Sequence, residues 1–462
     1  LRDKWGEGYS IDESYDLALA VTCLQGLVNR EAPRLVVYGL PYGNWAKFVP
    51  PANFDGNIDR YVLGYSTREG AWLENASLEE VHSLEELLER YRDHVKGLVV
   101  WDDNLEATAN VATTVAGVEG LLPVRFAEGS YPSDRPTLYR VLTGKLGLPV
   151  KLSLVGLFTG TGIIPGTSEP STGSAKCDAY LWAKERYLDT GLCRADLIGY
   201  IEDAYSRKHP ANFNSWLGMR DYLVSERGFL VDVNVWDDEP PVDDLTQPLG
   251  TDRRTLDAVL ESAYARTGGR QPIRVMGFPP WAEKYTNHGQ AGGKHDPVAT
   301  EWELARIVTP YNGHLVVDIY QGFTANLSLY RHAPRIDALS QSDSAGVSAS
   351  SRYTTDTKPT LNVLFYMGDY CDIGAVYNIL PINWDDPARG QIPLAWSFTP
   401  VMTELLPDLF RWMYETRTPN DHFVFGPGLY GYNMPNNLPA GIPYDTNREL
   451  LAHWAEDRKS TR

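Results

Sequence analysis

Carboxylates and aromatic rings gather after short apolar runs in the second half of this 462-residue chain. Glu202 and Asp203 follow DLIGYI. Asp237, Asp238, Glu239, Asp243 and Asp244 follow FLVDVNVW, and Trp281, Lys284 and Tyr285 follow PIRVMGF. Asp318 lies in HLVVDIY, Asp369, Tyr370 and Asp372 follow LNVLFYM, and Ser397 follows PLAW. Near the end, HFVF runs into FGPGLYGYNMPNNLP, which carries Tyr430, Tyr432 and Asn433. These residue types suit a carbohydrate site. Sugar hydroxyls bond to carboxylates and amides, and the C–H face of a pyranose stacks on a flat aromatic ring. Splitting a glycosidic bond calls for two carboxyl groups, one protonated to donate and one ionised to attack or to activate water. Burial and like-charge proximity can hold two such pKa values apart. Asp369 and Glu239 are the candidate acid and nucleophile or base, with Asp372, Asp244 and Asp203 as alternates. Trp281, Tyr285, Tyr430 and Tyr432 are candidate stacking rings, and Lys284, Asp318 and Asn433 candidate substrate contacts.

Each of these residues also has a plainer use. DDEPPVDD is compatible with a solvated acidic turn. Asp372 suits an N-cap for the helical run IGAVYNIL. Trp281 suits a core, and the Gly- and Pro-rich loop around Tyr432 suits packing. A carboxylate cluster on loops is also compatible with Ca²⁺ or Mg²⁺. His288 and His295 lie in the glycine-rich stretch KYTNHGQAGGKH, whose spacing argues against a metal site, and no HExxH occurs. No GxSxG elbow occurs either, which argues against an ordinary serine esterase. Gly160-x-Gly162-x-x-x-Gly166 lacks the dinucleotide spacing and opens no helix, so it reads as a loop.

The elements that must position these residues are legible from periodicity. Over residues 1–131 the helical patterns SYDLALAVTCLQGLVNR, SLEELLERYRDHV and NVATTVAGVEGL alternate with the strand-like runs APRLVVYGL, KGLVVWDD and LPVRFA. That alternation predicts an α/β region with a mainly parallel sheet, of one or two small subdomains. Residues 132–194 read as a connector. Residues 195–462 hold strand-like runs at DLIGYIED, FLVDVNVW, PIRVMGF, HLVVDIY, LNVLFYMGD, PLAWSF and HFVFGPG. Helical patterns such as TDRRTLDAVLESAYARTG and TPVMTELLPDLFRWMYETR lie between several of them. The fold class is therefore α/β, with a (β/α) barrel-like second part of seven strands, chemistry being placed at the carboxyl ends of such strands.

Composition bounds the partners. Lys plus Arg number 42 against 60 Asp plus Glu, giving a net charge of −18, which repels phosphate backbones and disfavours nucleic acid. No apolar run reaches membrane-span length. The opening LRDKWGEGYS is charged and polar, so no signal peptide is visible. Asn75-Ala76-Ser77 and Asn326-Leu327-Ser328 are glycosylation sequons, compatible with a secretory route. No CxxC occurs, which disfavours a zinc ribbon. Cys177 and Cys193 are compatible with a disulfide in an oxidising compartment and equally with two buried thiols.

Several blocks resemble the GxGYxYP family, bacterial and fungal proteins that carry a glycoside hydrolase label. Leu429–Pro435, LYGYNMP, corresponds to the naming motif, with Gly431, Tyr432 and Pro435 matching and Leu429 and Met434 replacing its first glycine and second tyrosine. LQGLVNREAPRL, STGSAKCDAYLWAKERYL, DEPPVDDLTQPLGTD, GFPPWAEKYT, TEWELARIVTPYN and MGDYCD also resemble family blocks, so the likeness runs over nearly the whole chain. Where relatives often have an SDGDN-type segment, Asp369 and Asp372 take its acidic positions. The resemblance implies small amino-terminal α/β domains followed by a barrel-like domain.

The expectation is a secreted protein, extracellular or periplasmic, that hydrolyses a poly- or oligosaccharide without a cofactor, a divalent cation remaining compatible. Two alternatives are a non-catalytic carbohydrate-binding protein and a metal-dependent deacetylase or lyase.

Overall fold

The computed structural model describes residues 9–37, 58–208, 218–277, 294–295, 298, 300–317, 324–335, 363–368, 373–378, 380–425, 431–434 and 437–439. It is a mixed α/β structure whose described strands pair in parallel. A first sheet has the order β2-β1-β3, with β1 Leu98–Trp101, β2 Leu122–Arg125 and β3 Val150–Ser153. A second has the order β5-β4-β6-β7, with β4 Leu197–Tyr200, β5 Phe229–Val231, β6 Ile273–Met276 and β7 Gly313–Val317. A third has the order β10-β9-β8, with β8 Tyr366–Met367, β9 Leu394–Phe398 and β10 Asp421–Phe425.

All seven apolar runs after residue 195 contain strands, yet the described strands close no barrel. In a sequential barrel β4 would have β5 on one side only. Here β4 lies between β5 and β6, so the chain lays one strand outward and then crosses back. That is the winding of an open α/β sheet, and it makes a switch point between β4 and β6, where successive connections diverge. In such sheets ligands bind outside the carboxyl ends at the switch point. In the amino-terminal region KGLVVWDD and LPVRFA form β1 and β2. The described part of APRLVVYGL, residues 32–37, is not a strand, and the third position in that sheet is taken by β3, from within the connector reading.

The helix Ile11–Val28 is buried on nearly every side, as an apolar helix with little polar face must be. Ser10 caps it by accepting from the Glu13 amide at 3.2 Å. It crosses the helix Arg220–Glu226 at Gly26, where an added Cβ would stand 2.4 Å from the Asp221 carbonyl oxygen. This glycine belongs to the LQGLVNR block and serves close helix contact. Apolar residues from Tyr15 through Val100, Tyr180 and Ile198 to Ala325 form one continuous core, which runs across residues 131 and 194. A second core gathers Trp384, Trp396, Phe398 and Met413 around the third sheet.

Cys23, Cys177 and Cys193 are buried free thiols, so of the two readings for Cys177 and Cys193 the unpaired one holds. Asn326 is 1% exposed, and its side chain is bonded to Gln25 and to the backbone of Val37. It is not a glycan acceptor in the folded chain. No helix among the described residues is long and apolar enough to cross a membrane.

Candidate active site

β5 stops pairing at Val231, but the chain stays buried through Val235. The Asn234 amide donates to Asp252 Oδ2 at 2.6 Å, and its side-chain oxygen accepts from the Trp236 amide at 3.1 Å. These bonds fix the exit of the strand. The Trp236 ring then stacks on His295 with centroids 3.7 Å apart and planes within 1°. His295 Nε2 lies 3.0 Å from Asp238 Oδ1 and 3.8 Å from Glu239 Oε2. Lys294 Nζ is 2.9 Å from Asp238 Oδ2 and donates to the Asp238 carbonyl at 2.7 Å. Lys294 and His295 come from the connection after β6, and Trp236 to Glu239 from the connection after β5. Because β4 separates those two strands, the connections meet across its carboxyl end, at the switch point.

Environment pushes the two neighbouring carboxyls in opposite directions. Burial raises the Glu239 carboxyl above the usual range; His295 opposes this, Asp238 adds to it and Lys294 opposes it, the net effect being upward. Burial would also raise Asp238, but the Lys294 hydrogen bond and the charges of His295 and Lys294 outweigh it, so Asp238 is held low. Two carboxyls pushed apart in this way are a signature of acid–base work. Glu239 is 24% exposed, and its buried Oε1 has no hydrogen-bond partner among the described residues. Trp236 Nε1, Asn234 Nδ2 and Gln247 Nε2, between residues 234 and 247, are likewise buried and without a partner among the described residues. Buried polar atoms are nearly always bonded, so these four require partners other than the described residues, and a ligand is compatible with that demand.

A clamp holds this stretch from below. Lys176 Nζ lies 2.6 Å from Asp252 Oδ2 and 2.9 Å from Asp243 Oδ1; Lys176 and Asp252 are buried and Asp243 is part-buried. Burial alone would lower the Lys176 pKa, but Asp243 and Asp252 outweigh it and keep the ammonium charged. Ser174, N-cap of the helix Ala175–Ala183, donates to Asp244 Oδ2. Cys177 Sγ lies 3.1 Å from Asp252 Oδ1. DDEPPVDD is therefore not a free acidic turn, since its last two carboxylates are tied to a helix start. A lone lysine in a helical pattern gives no sequence signal, and Lys176 was accordingly not among the expected site residues.

The other expected residues are placed as follows. Asp203, 1% exposed, accepts from Arg220 Nε at 2.8 Å and Nη2 at 2.6 Å and from the Tyr15 hydroxyl at 2.9 Å. Arg220 also donates to Asn110 and Thr113. The contacts of Asp203 are with these groups and not with Glu239. Tyr432 exchanges backbone hydrogen bonds with Leu315 of β7, at 2.7 and 2.9 Å, and packs on the main core. Asn433 Nδ2 donates to His314 Nδ1 at 2.8 Å, while His314 Nε2 donates to Asn312 at 3.1 Å. Burial lowers His314 to about 4, so it is the neutral ring this pattern requires. The described part of the loop thus docks along the edge of β7. Asp369, Asp372, Trp281, Lys284, Tyr285, Asp318 and Tyr430 lie outside the described residues.

Gly431 explains one fixed letter of the naming motif. A Cβ there would stand 2.5 Å from the Leu315 carbonyl oxygen. Gly431→Ala should therefore push the segment off β7 and cost about 1–3 kcal/mol, as overpacking does. Thermal unfolding checks this, and a melt unchanged from wild type would show that the docking contributes nothing. Among the described residues no group of three or more His, Cys, Asp or Glu side chains is placed to hold a metal ion.

Comparison with known proteins adds the following. The chain is similar over 99% of its length to the crystal structure of "a putative hydrolase from Bacteroides thetaiotaomicron VPI-5482", with a TM-score of 0.58, 16% identity and 67% of that chain covered. At that identity the likeness speaks for the fold. No curated protein matches the chain. Residues 360–460 match the family model described as "GxGYxYP putative glycoside hydrolase C-terminal domain". The family-model match covers this carboxy-terminal part rather than nearly the whole chain.

Proposed function

We propose that this protein hydrolyses a glycosidic bond, with Glu239 as the protonated acid. The observation that carries the reading is the Glu239 carboxyl itself, part-buried, raised in pKa and open at Oε1, on the switch-point side of the sheet. The family description and the name of the structural neighbour, both hydrolase terms, support the class of reaction. Protonated Glu239 donates to the glycosidic oxygen as the bond to the anomeric carbon breaks. A second, ionised carboxylate attacks that carbon or activates water. Asp369 is our choice for the second group on its sequence position, ahead of Asp372. Asp203 and Asp244, each already bonded within the protein, rank lower. His295, stacked on Trp236, stands beside Glu239 as a charged neighbour.

The pH dependence follows with a definite sign. An acid works while protonated, so the rate falls as pH rises through the Glu239 pKa, which lies above the ordinary glutamate range. Positive charge on His295 lowers that pKa. His295→Gln, which removes the charge and keeps most of the bulk beside Glu239, should therefore shift the alkaline limb of kcat/KM to higher pH and leave the acid limb in place. A shift to lower pH, or no shift in an active variant, would remove Glu239 from the donor role.

A further inference from the structure

A cavity of about 220 Å³ opens on the opposite side of the molecule, lined in part by Arg30, Glu31, Arg34, His94, Lys96 and Arg227. Lys96 precedes β1 and Arg227 precedes β5, so the cavity lies at the amino ends of strands, whereas Glu239 follows a carboxyl end. Four permanent cations and an imidazole face one carboxylate there, on a chain whose net charge is −18.

Three helices end beside this cavity, Ile11–Val28, Ala107–Glu119 and Arg220–Glu226, and their carbonyl ends attract cations. Arg30 answers that demand, since it donates to the carbonyl oxygens of Gly117, Val224 and Ser225. The helix ends therefore do not use up the remaining positive charge. Arg34, Lys96 and Arg227 form no ion pair among the described residues. Arg34 Nη1 lies 3.4 Å from His94 Nε2, and the Lys96 stem lies over Gly120. Burial lowers the Arg30 pKa, and the like charges of Arg227 and Arg331 add to this while Glu226 and Glu31 oppose it. A natural surface balances such crowding with carboxylates, and here Glu31 is the one carboxylate in the lining.

We propose that this cavity binds a tetrahedral oxyanion, the phosphate or sulfate group of a small molecule, held by Arg34, Lys96 and Arg227. Guanidinium groups match the oxygen edges of such an anion, and lysine supplies a point charge. The volume holds roughly seven waters, more than the anion alone displaces, which leaves room for the molecule that carries it. The site is independent of Glu239.

The test is calorimetric titration of the full chain with inorganic phosphate and, separately, inorganic sulfate, at constant ionic strength set with chloride. One saturable site is expected, weakened at least tenfold in Lys96→Ala/Arg227→Ala and abolished in Lys96→Glu/Arg227→Glu. Both side chains are exposed and without ion-pair partners among the described residues, so these variants should melt as wild type does. Tighter phosphate would identify a phosphate ester as the ligand class, and tighter sulfate a sulfate ester. Saturation by neither anion, or saturation undiminished in the folded variants, would overturn the proposal.

Discussion

Glu239→Gln should lower kcat/KM on an unactivated glycoside by about 10²–10⁴-fold, the range for loss of a positioned acid. The amide keeps the shape and the contacts of the side chain and removes the transferable proton. Unfolding should be almost unaffected, since Glu239 Oε1 has no hydrogen-bond partner among the described residues. The loss should also depend on the leaving group. A natural alcohol leaves poorly without a proton, whereas an acidic phenol leaves as the anion and does not need one. On an aryl glycoside with such a phenol the same variant should retain most of its rate. Equal losses on both substrates would assign Glu239 to binding rather than to proton donation.

The second large effect concerns stability. Arg220 and Asp203 are 0% and 1% exposed and face each other through two hydrogen bonds. Burying both charges costs much of what their attraction returns, so the pair adds little net stability, but removing one partner strands the other. Arg220→Ala should cost about 3–5 kcal/mol in chemical denaturation. Replacing both, as Arg220→Met with Asp203→Leu, should cost clearly less because no charge is left buried alone. The comparison is informative because Asp203 stands three residues after β4 and was a candidate catalytic carboxylate on sequence. A double variant as unstable as the single one would mean that the ion pair itself, and not the stranded charge, carries the stability.

Local pattern told much about the elements and little about their arrangement. Period-two and buried apolar runs marked the strands from DLIGYI to HFVF, because a strand is specified within itself. The order β5-β4-β6-β7 depends on which strand each crossover helix packs against, a long-range property that no run of residues displays. The same limit explains β3. Its lysine-containing VKLS has one side chain part-buried and three exposed, so it lacks the signal of a buried strand. TPVMTELLPDLFRWMYETR read as one helix but breaks at Leu406, where Pro407 starts a second.

Glu239 was a candidate on sequence because a carboxylate after a strand is conspicuous, and its place beside Asp238 and His295 is what the structure adds. His295 was not, because its glycine-rich surroundings gave no hint that it would stack on Trp236. Lys176 was hidden for a related reason, since its acidic partners Asp243 and Asp252 lie far along the chain. The loop at Gly431 was compatible on sequence with stacking rings for a sugar and with packing; its described part packs on β7, where backbone proximity to Leu315 accounts for the glycine.

The most direct measurement of the central claim is digestion of a glycan panel by wild type, Glu239→Gln and Asp369→Asn side by side, with products read by mass. The predicted result is sugar released with one water added by wild type, and at least a hundredfold less from either folded variant. Release from folded Glu239→Gln at the wild-type rate would contradict the assignment of the acid. A product lighter by one water would contradict hydrolysis itself and point to a lyase.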